Sequence, residues 1–114
     1  MIQIVHNPRC GKSRSCVALV ANAKIPFEEI QYLKNNFTFE ELSRIIAKLA
    51  IKPMDLVRQK EKIWIANFKN KSLSDKEIIN AMVANPILIE RPIVIDNDKA
   101  ILGRDLEQVA AFIA

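Results

Sequence analysis

Apolar residues at Ile2, Ile4 and Val5 open the chain with a short run that predicts a buried strand over 2–5. A different rhythm follows. Cys16, Val17, Leu19, Val20 and Ala23 recur at helical spacing and predict a first helix over about 11–23. Ile25-Pro26-Phe27 interrupts it, and Phe27, Ile30, Tyr32 and Leu33 predict a second strand. Thr38-Phe39-Glu40-Glu41 is a capping box with Thr38 as N-cap, and Phe37 and Leu42 occupy the staple positions around it. Leu42, Ile45, Ile46 and Leu49 then share one face, so a helix is expected over 39–49. Pro53 suits the first turn of a short helix over 53–60, whereas Ile63 to Phe68 is mixed and leaves its structure open. Ser74-Asp75-Lys76-Glu77 repeats the capping box. Ile78, Ile79, Met82 and Val83 follow at helical spacing, and Asn85-Pro86 ends that helix. Ile87 to Ile89 is expected to be extended. Pro92-Ile93-Val94-Ile95, the turn Asp96-Asn97-Asp98-Lys99 and the return Ala100 to Leu102 predict a hairpin. Asp105 is an acceptable N-cap for a last helix that turns Leu106, Val109, Ala110 and Ile113 to the core.

The order β-α-β, a helical middle, then β-β-α is an α/β layout. The first unit predicts a parallel strand pair and the last an antiparallel one, so the sheet is expected to be mixed. A thioredoxin-like core with a helical insertion at about 38–85 fits this order. The 114 residues suit one domain over 1–114, and no repeat, low-complexity run or linker divides them.

Composition changes the picture little. Half of the residues are hydrophobic, enough for a core without disulfide staples, and two cysteines imply no disulfide framework. The net charge of +4 is spread rather than blocked, which suits a solvated surface or an anionic substrate better than a nucleic-acid partner. No apolar stretch is long enough to span a membrane and no signal peptide is evident, so a reducing cytoplasm is expected.

Chemistry concentrates at His6-Asn7-Pro8-Arg9-Cys10-Gly11-Lys12-Ser13-Arg14, the passage from the first strand into the first helix. At a helix start several backbone N–H groups lack partners and the dipole is positive, which stabilises a thiolate and attracts an oxyanion. A free thiol of pKa about 8.5 is only about 3% ionised at pH 7. A helix N-terminus and nearby cations can lower that value by several units. Cys10 is therefore read as a reactive thiol, with Ser13 able to hydrogen-bond its sulfur. Cys16 lies six residues on, on the core stripe. Six helical residues span about 9 Å, beyond the roughly 7 Å that a disulfide tolerates, so electrons must come from an external thiol.

Sharper motifs fail. A P-loop would need a glycine at His6, a phosphatase loop an arginine at Cys16, and a dithiol motif a cysteine at Ser13. Two cysteines and one histidine at these spacings match no zinc pattern, so no metal or bound cofactor is expected. His6 is either a local hydrogen-bonding residue or a charge that tunes Cys10. Asn7 either caps the turn or holds the thiolate. Arg58 closes the predicted short helix, while Arg91 and Arg104 flank one hairpin and can converge. An arginine fork binds tetrahedral oxyanions through paired bonds. Arg91-Pro92 is a position where a cis peptide forms readily, turning Arg91 toward the helix start.

With these residues in view, the sequence resembles the glutaredoxin-coupled arsenate reductases. The resemblance rests on residues 6–14, Tyr32-Leu33, Asp55-Leu56-Val57-Arg58, Asn85-Pro86-Ile87-Leu88-Ile89-Glu90-Arg91-Pro92-Ile93-Val94 and Ile101-Leu102-Gly103-Arg104. It runs over residues 1–114, although Trp64 to Lys71 lacks an expected glycine. It implies a thioredoxin-like fold with a helical insertion, Cys10 as nucleophile, and Arg58, Arg91 and Arg104 as oxyanion-binding residues. His6, Asn7 and Ser13 would be supporting residues. It also implies arsenate as substrate, glutathione as co-substrate, glutaredoxin as partner, and a monomer acting in the cytoplasm. Two other classes compete. A redox-sensing regulator that binds RNA polymerase would carry a Cys-x-x-Cys switch, which Ser13 breaks. A generic glutathione-linked thiol oxidoreductase would need Cys10 but not three arginines.

Overall fold

The computed structural model describes all residues, 1–114, and the chain forms two compact units. The first comprises Met1–Asn35 and Arg91–Ala114, the second Asn36–Glu90. Residues 38–85 fall within the second unit.

In the first unit, β1 (Ile2–Val5) leads to α1 (Gly11–Asn22) and β2 (Phe27–Ile30), and β3 (Ile93–Asp96), β4 (Lys99–Leu102) and α5 (Leu106–Ile113) complete it. The sheet order is β2-β1-β3-β4, with β1 and β2 parallel and the other two pairs antiparallel. The mixed sheet expected from the element order is thus present. β2 stops at Ile30, short of the predicted Leu33, because residues 32–34 turn. Tyr32 is nevertheless fully buried.

Ile2, Ile4, Val94, Cys16, Val20 and Val109 form one buried cluster, where alternate strand positions meet the inner stripes of α1 and α5. The predicted stripes were too wide at their ends. Leu106 and Ala110 are exposed rather than core, as is Ala23, which falls just past α1 as its C-cap.

Register places the hairpin ends. Ile93 opposes Leu102, and beyond this pair the Gly103 N–H donates to the Pro92 carbonyl at 2.8 Å. Arg91 and Arg104 flank the hairpin just outside this bond, before Pro92 and after Gly103. The Arg91-Pro92 peptide is cis. Gly103 is required by close approach. A Cβ there would lie 2.9 Å from Pro92 Cγ and 3.1 Å from Cys16 Sγ. Gly103→Ala is therefore expected to destabilise the protein by about 1–3 kcal/mol through overpacking, read as a lowered urea midpoint.

In the second unit, both predicted capping boxes form, at Thr38/Glu41 opening α2 (Phe39–Leu49) and at Ser74/Glu77 opening α4 (Asp75–Ala84). Leu42, Ile45 and Ile46 of α2 and Ile78, Ile79 and Met82 of α4 are buried. The helix predicted for 53–60 is only a 3₁₀ turn, Pro53–Leu56, ended when Val57 becomes extended and bridges Ile89. The open stretch forms α3 (Lys62–Asn67), with the Trp64 and Phe68 rings stacked at 5.3 Å. Of Ile87 to Ile89, expected to be extended, Ile89 is, but Ile87 and Leu88 belong to a 3₁₀ turn, Pro86–Leu88, since Pro86 fits a first-turn position. No helix is long and apolar enough to cross a membrane.

Candidate active site

Cys10 is the N-cap of α1, with extended backbone at φ −93° and ψ 123°. Its carbonyl accepts the first helical bond from Arg14 N–H, and its own N–H donates to Asn7 O, each at 3.0 Å. The turn that delivers it is built by Asn7, whose Oδ1 accepts from Arg9 N–H at 3.0 Å. Asn7 therefore caps the turn, the first of the two roles open to it.

Burial raises the Cys10 pKa and is the largest single influence. Against it act the Ser13 backbone N–H, the Arg91 guanidinium through a hydrogen bond and its charge, and the Lys12 backbone N–H, and the net result is a lowered pKa. The Ser13 contribution differs from expectation. Its main-chain amide, not its hydroxyl, serves the sulfur.

The Ser13 hydroxyl is engaged elsewhere. It lies 2.6 Å from His6 Nδ1 and accepts from Asn7 N–H at 3.0 Å. His6 Nε2 is 3.4 Å from Glu29. Burial lowers the His6 pKa most, with Glu29 opposing and the Arg14 charge lowering it further, so the ring is neutral at pH 7. The tautomer that satisfies all partners carries its proton on Nε2 toward Glu29 and accepts from Ser13 at Nδ1. His6 is thus a local hydrogen-bonding residue, which steadies the first turn of α1 rather than placing a charge beside Cys10. Sequence reasoning missed Glu29. Its proximity follows from the parallel register Val5 to Ile30, which no local motif encodes.

Arg91 is the arginine that reaches Cys10. Its Nε and Nη1 are buried and have no hydrogen-bond partner in the protein. Buried guanidinium donors without a protein acceptor fit a bound oxyanion. Arg104 lines a cavity of about 400 Å³ with Gly11, Lys12, Arg14, Ser15 and Leu106. Arg58 belongs to the second unit. There its Nε is 3.0 Å from Glu61 and its Nη1 3.4 Å from Glu90, and its backbone N–H donates to Leu88 O at 2.7 Å.

Cys16 is fully buried, and burial pushes its thiol up to about 11. Both cysteines are free. Alkylation by iodoacetamide is therefore expected to label Cys10 alone in the native protein. Its rate should persist to lower pH than for an ordinary thiol, because the thiolate fraction does. A titration measured by mass spectrometry with a midpoint at or above the ordinary thiol value would contradict this.

A thioredoxin-like sheet that presents a thiol of lowered pKa at the start of its first helix, with Arg91 and Arg104 flanking the adjoining hairpin, defines a thiol-dependent class of that fold. A model of the ArsC family matches residues 5–112, and the chain belongs to that family. It is 41% identical over 109 residues to an arsenate reductase of Haemophilus influenzae, covering 93% of each chain. It is 40% identical over 112 residues to the uncharacterized protein YfgD of Escherichia coli K12, covering 95% of this chain and 92% of that one. A solved structure described as an arsenate reductase from Vibrio cholerae superposes with a TM-score of 0.90 at 39% identity, covering 96% of this chain and 95% of the other.

Proposed function

We propose that this protein reduces arsenate to arsenite, drawing electrons from glutathione and glutaredoxin. The observation that carries the reading is the pairing of a Cys10 thiol of lowered pKa with an Arg91 guanidinium whose Nε and Nη1 are buried without a protein acceptor.

The Cys10 thiolate attacks arsenic, and an arsenate hydroxyl takes a second proton from solvent and leaves as water. Arg91 donates to the remaining oxygens and offsets the charge they carry. The thiolate of glutathione then attacks the Cys10 sulfur. The S–As bond breaks with its electron pair going to arsenic, which becomes arsenite, and a Cys10–glutathione disulfide forms. Each sulfur has given up one electron. Thiolate attack by glutaredoxin on the glutathione sulfur returns Cys10 to the thiol. By resemblance, Arg104 joins Arg91 in binding the oxyanion, with His6, Asn7 and Ser13 supporting the turn. The protein acts as a monomer in the cytoplasm, where glutathione keeps Cys10 reduced.

An intramolecular dithiol route is disfavoured, since Cys16 is buried and its thiol is pushed up to about 11. The same observation weighs against a dithiol redox switch.

The test is an assay with arsenate, glutathione, glutaredoxin and NADPH-driven recycling. Arsenite is expected to form continuously with all components. Without glutaredoxin it should stop after a single turnover, with glutathione bound to Cys10 by mass. No arsenite from folded protein would overturn the reading.

A further inference from the structure

In β2, alternation puts a carboxylate where the sheet calls for an apolar side chain. Phe27 and Glu29 share one face of the strand, and Phe27 packs against the buried cluster that joins the sheet to α1 and α5. Glu28, on the other face, is taken by Gln3, whose Nε2 donates to Oε1 at 2.6 Å. Glu29 has His6 as its neighbour instead, with Oε1 3.4 Å from Nε2. We propose that Glu29 is a positioning residue for the Cys10 nucleophile: its carboxylate holds the His6 proton on Nε2, so that Nδ1 accepts the Ser13 hydroxyl and the Ser13 amide stays aimed at the Cys10 sulfur. This rests on the reading of Cys10 as the thiol that attacks arsenate.

Sheet register brings the three side chains together. Parallel pairing sets Ile4 beside Glu29 and Val5 beside Ile30, and the His6 N–H continues the ladder by donating to Ile30 O at 3.0 Å. His6 is thereby fixed just past the end of β1, two residues on from Ile4. Its other ring nitrogen, Nδ1, lies 2.6 Å from Oγ of Ser13, in the first turn of α1. Ser13 is fully buried and His6 nearly so, whereas the Glu29 side chain is 40% exposed. The carboxylate thus reaches a buried pair from the surface.

Chemistry decides which way the protons point. A carboxylate accepts and cannot donate, so a bare Nε2 lone pair facing Glu29 is repelled and a proton there is attracted. With the proton on Nε2, the Ser13 hydroxyl donates to Nδ1 while accepting from Asn7 N–H at 3.0 Å. With the proton on Nδ1, Ser13 Oγ would face two donors, its own proton would lose its acceptor in a buried site, and Nε2 would face Glu29 bare. That arrangement loosens the hold on Ser13, whose main-chain amide is one of the groups that favour the Cys10 thiolate. Arg14 of α1 also acts on the ring, and its charge helps to keep a second proton off. Glu29 therefore acts on the sulfur through His6 and Ser13.

The chain has one histidine, so a long-range proton–nitrogen NMR spectrum of the full chain reads a single imidazole. In the wild type at pH 7, Nε2 is expected to carry the proton and Nδ1 to be bare. Glu29→Gln keeps the shape but both accepts and donates, and is expected to give a mixture of tautomers. Glu29→Lys only donates and is expected to move the proton to Nδ1. Both Glu28 and Glu29 are exposed, so these variants should fold. Iodoacetamide then reports on Cys10. Alkylation below the thiol pKa is expected to slow about threefold in Glu29→Gln, one pKa unit being about tenfold in thiolate. The sign separates positioning from simple electrostatics, since removing a negative charge would by itself favour the thiolate and speed the reaction. Glu28→Gln, on the opposite strand face, should leave tautomer and rate unchanged. An unchanged tautomer in both Glu29 variants would overturn the proposal. So would undiminished alkylation in Glu29→Gln, or equal slowing in Glu28→Gln. Arsenite formation by the wild type is followed in parallel. Its absence would overturn the functional reading alone, because tautomer and alkylation rate are measured without arsenate.

Discussion

Cys10→Ser is expected to abolish arsenite formation, with a loss of at least about a thousandfold, or about 4 kcal/mol in transition-state stabilisation. Two properties vanish together. A serine hydroxyl is not ionised near neutral pH, so the nucleophile is lost. An oxygen ester to arsenic also gives no route to a disulfide, so the two electrons have no donor. The fold should be untouched. Cys10 is partly exposed and makes no side-chain cap bond, and serine is itself a favoured N-cap, so stability should match or exceed that of the wild type. Thermal unfolding and the glutathione-coupled assay measured on one preparation check both halves. Arsenite produced by a well-folded Cys10→Ser protein would remove Cys10 from the mechanism.

Arg91→Ala is expected to lower kcat/KM for arsenate by about 10²–10³-fold, the range seen when one donor of a developing oxyanion is removed. It should also raise the Cys10 pKa, since both the hydrogen bond and the charge of Arg91 hold it down. The two effects separate with Arg91→Lys. A lysine keeps a positive charge near the sulfur and recovers part of the pKa, but it lacks the planar set of donors and leaves the arsenate KM high. Iodoacetamide titration reports the first quantity and the arsenate KM the second. If Arg91→Ala left both unchanged, the buried Nε and Nη1 would have no role in binding an oxyanion.

Local chemistry explains which parts of the fold were legible. The two capping boxes are self-contained, since Thr38 with Glu41 and Ser74 with Glu77 satisfy each other's backbone within one turn, and both helices start where those residues sit. The weaker signals were those that compete with tertiary contacts. Residues 57–60 have ordinary helical sequence, but Val57 is extended and pairs with Ile89, and residues 59 and 60 turn. Leu106 keeps helical spacing yet faces out, as the first residue of α5 lies beyond the buried cluster that Val109 joins.

The sequence by itself determined where the Cys10 thiol stands. A proline, a glycine and a cysteine between an apolar strand and an amphipathic helix suffice to put Cys10 over exposed N–H groups, because a helix start has that property whatever surrounds it. It also determined that Arg91 and Arg104 flank one hairpin, since they bracket its two strands in the chain. Tertiary structure decided the rest. It turned the Ser13 hydroxyl away from the sulfur and toward His6, and joined His6 to Glu29 across the parallel register. It sealed Cys16 against Gly103, and it lined the cavity beside α1 with residues from two ends of the chain. These depend on which distant segments meet. Such meetings are set by packing and sheet register over the whole unit, and a local pattern carries no record of them.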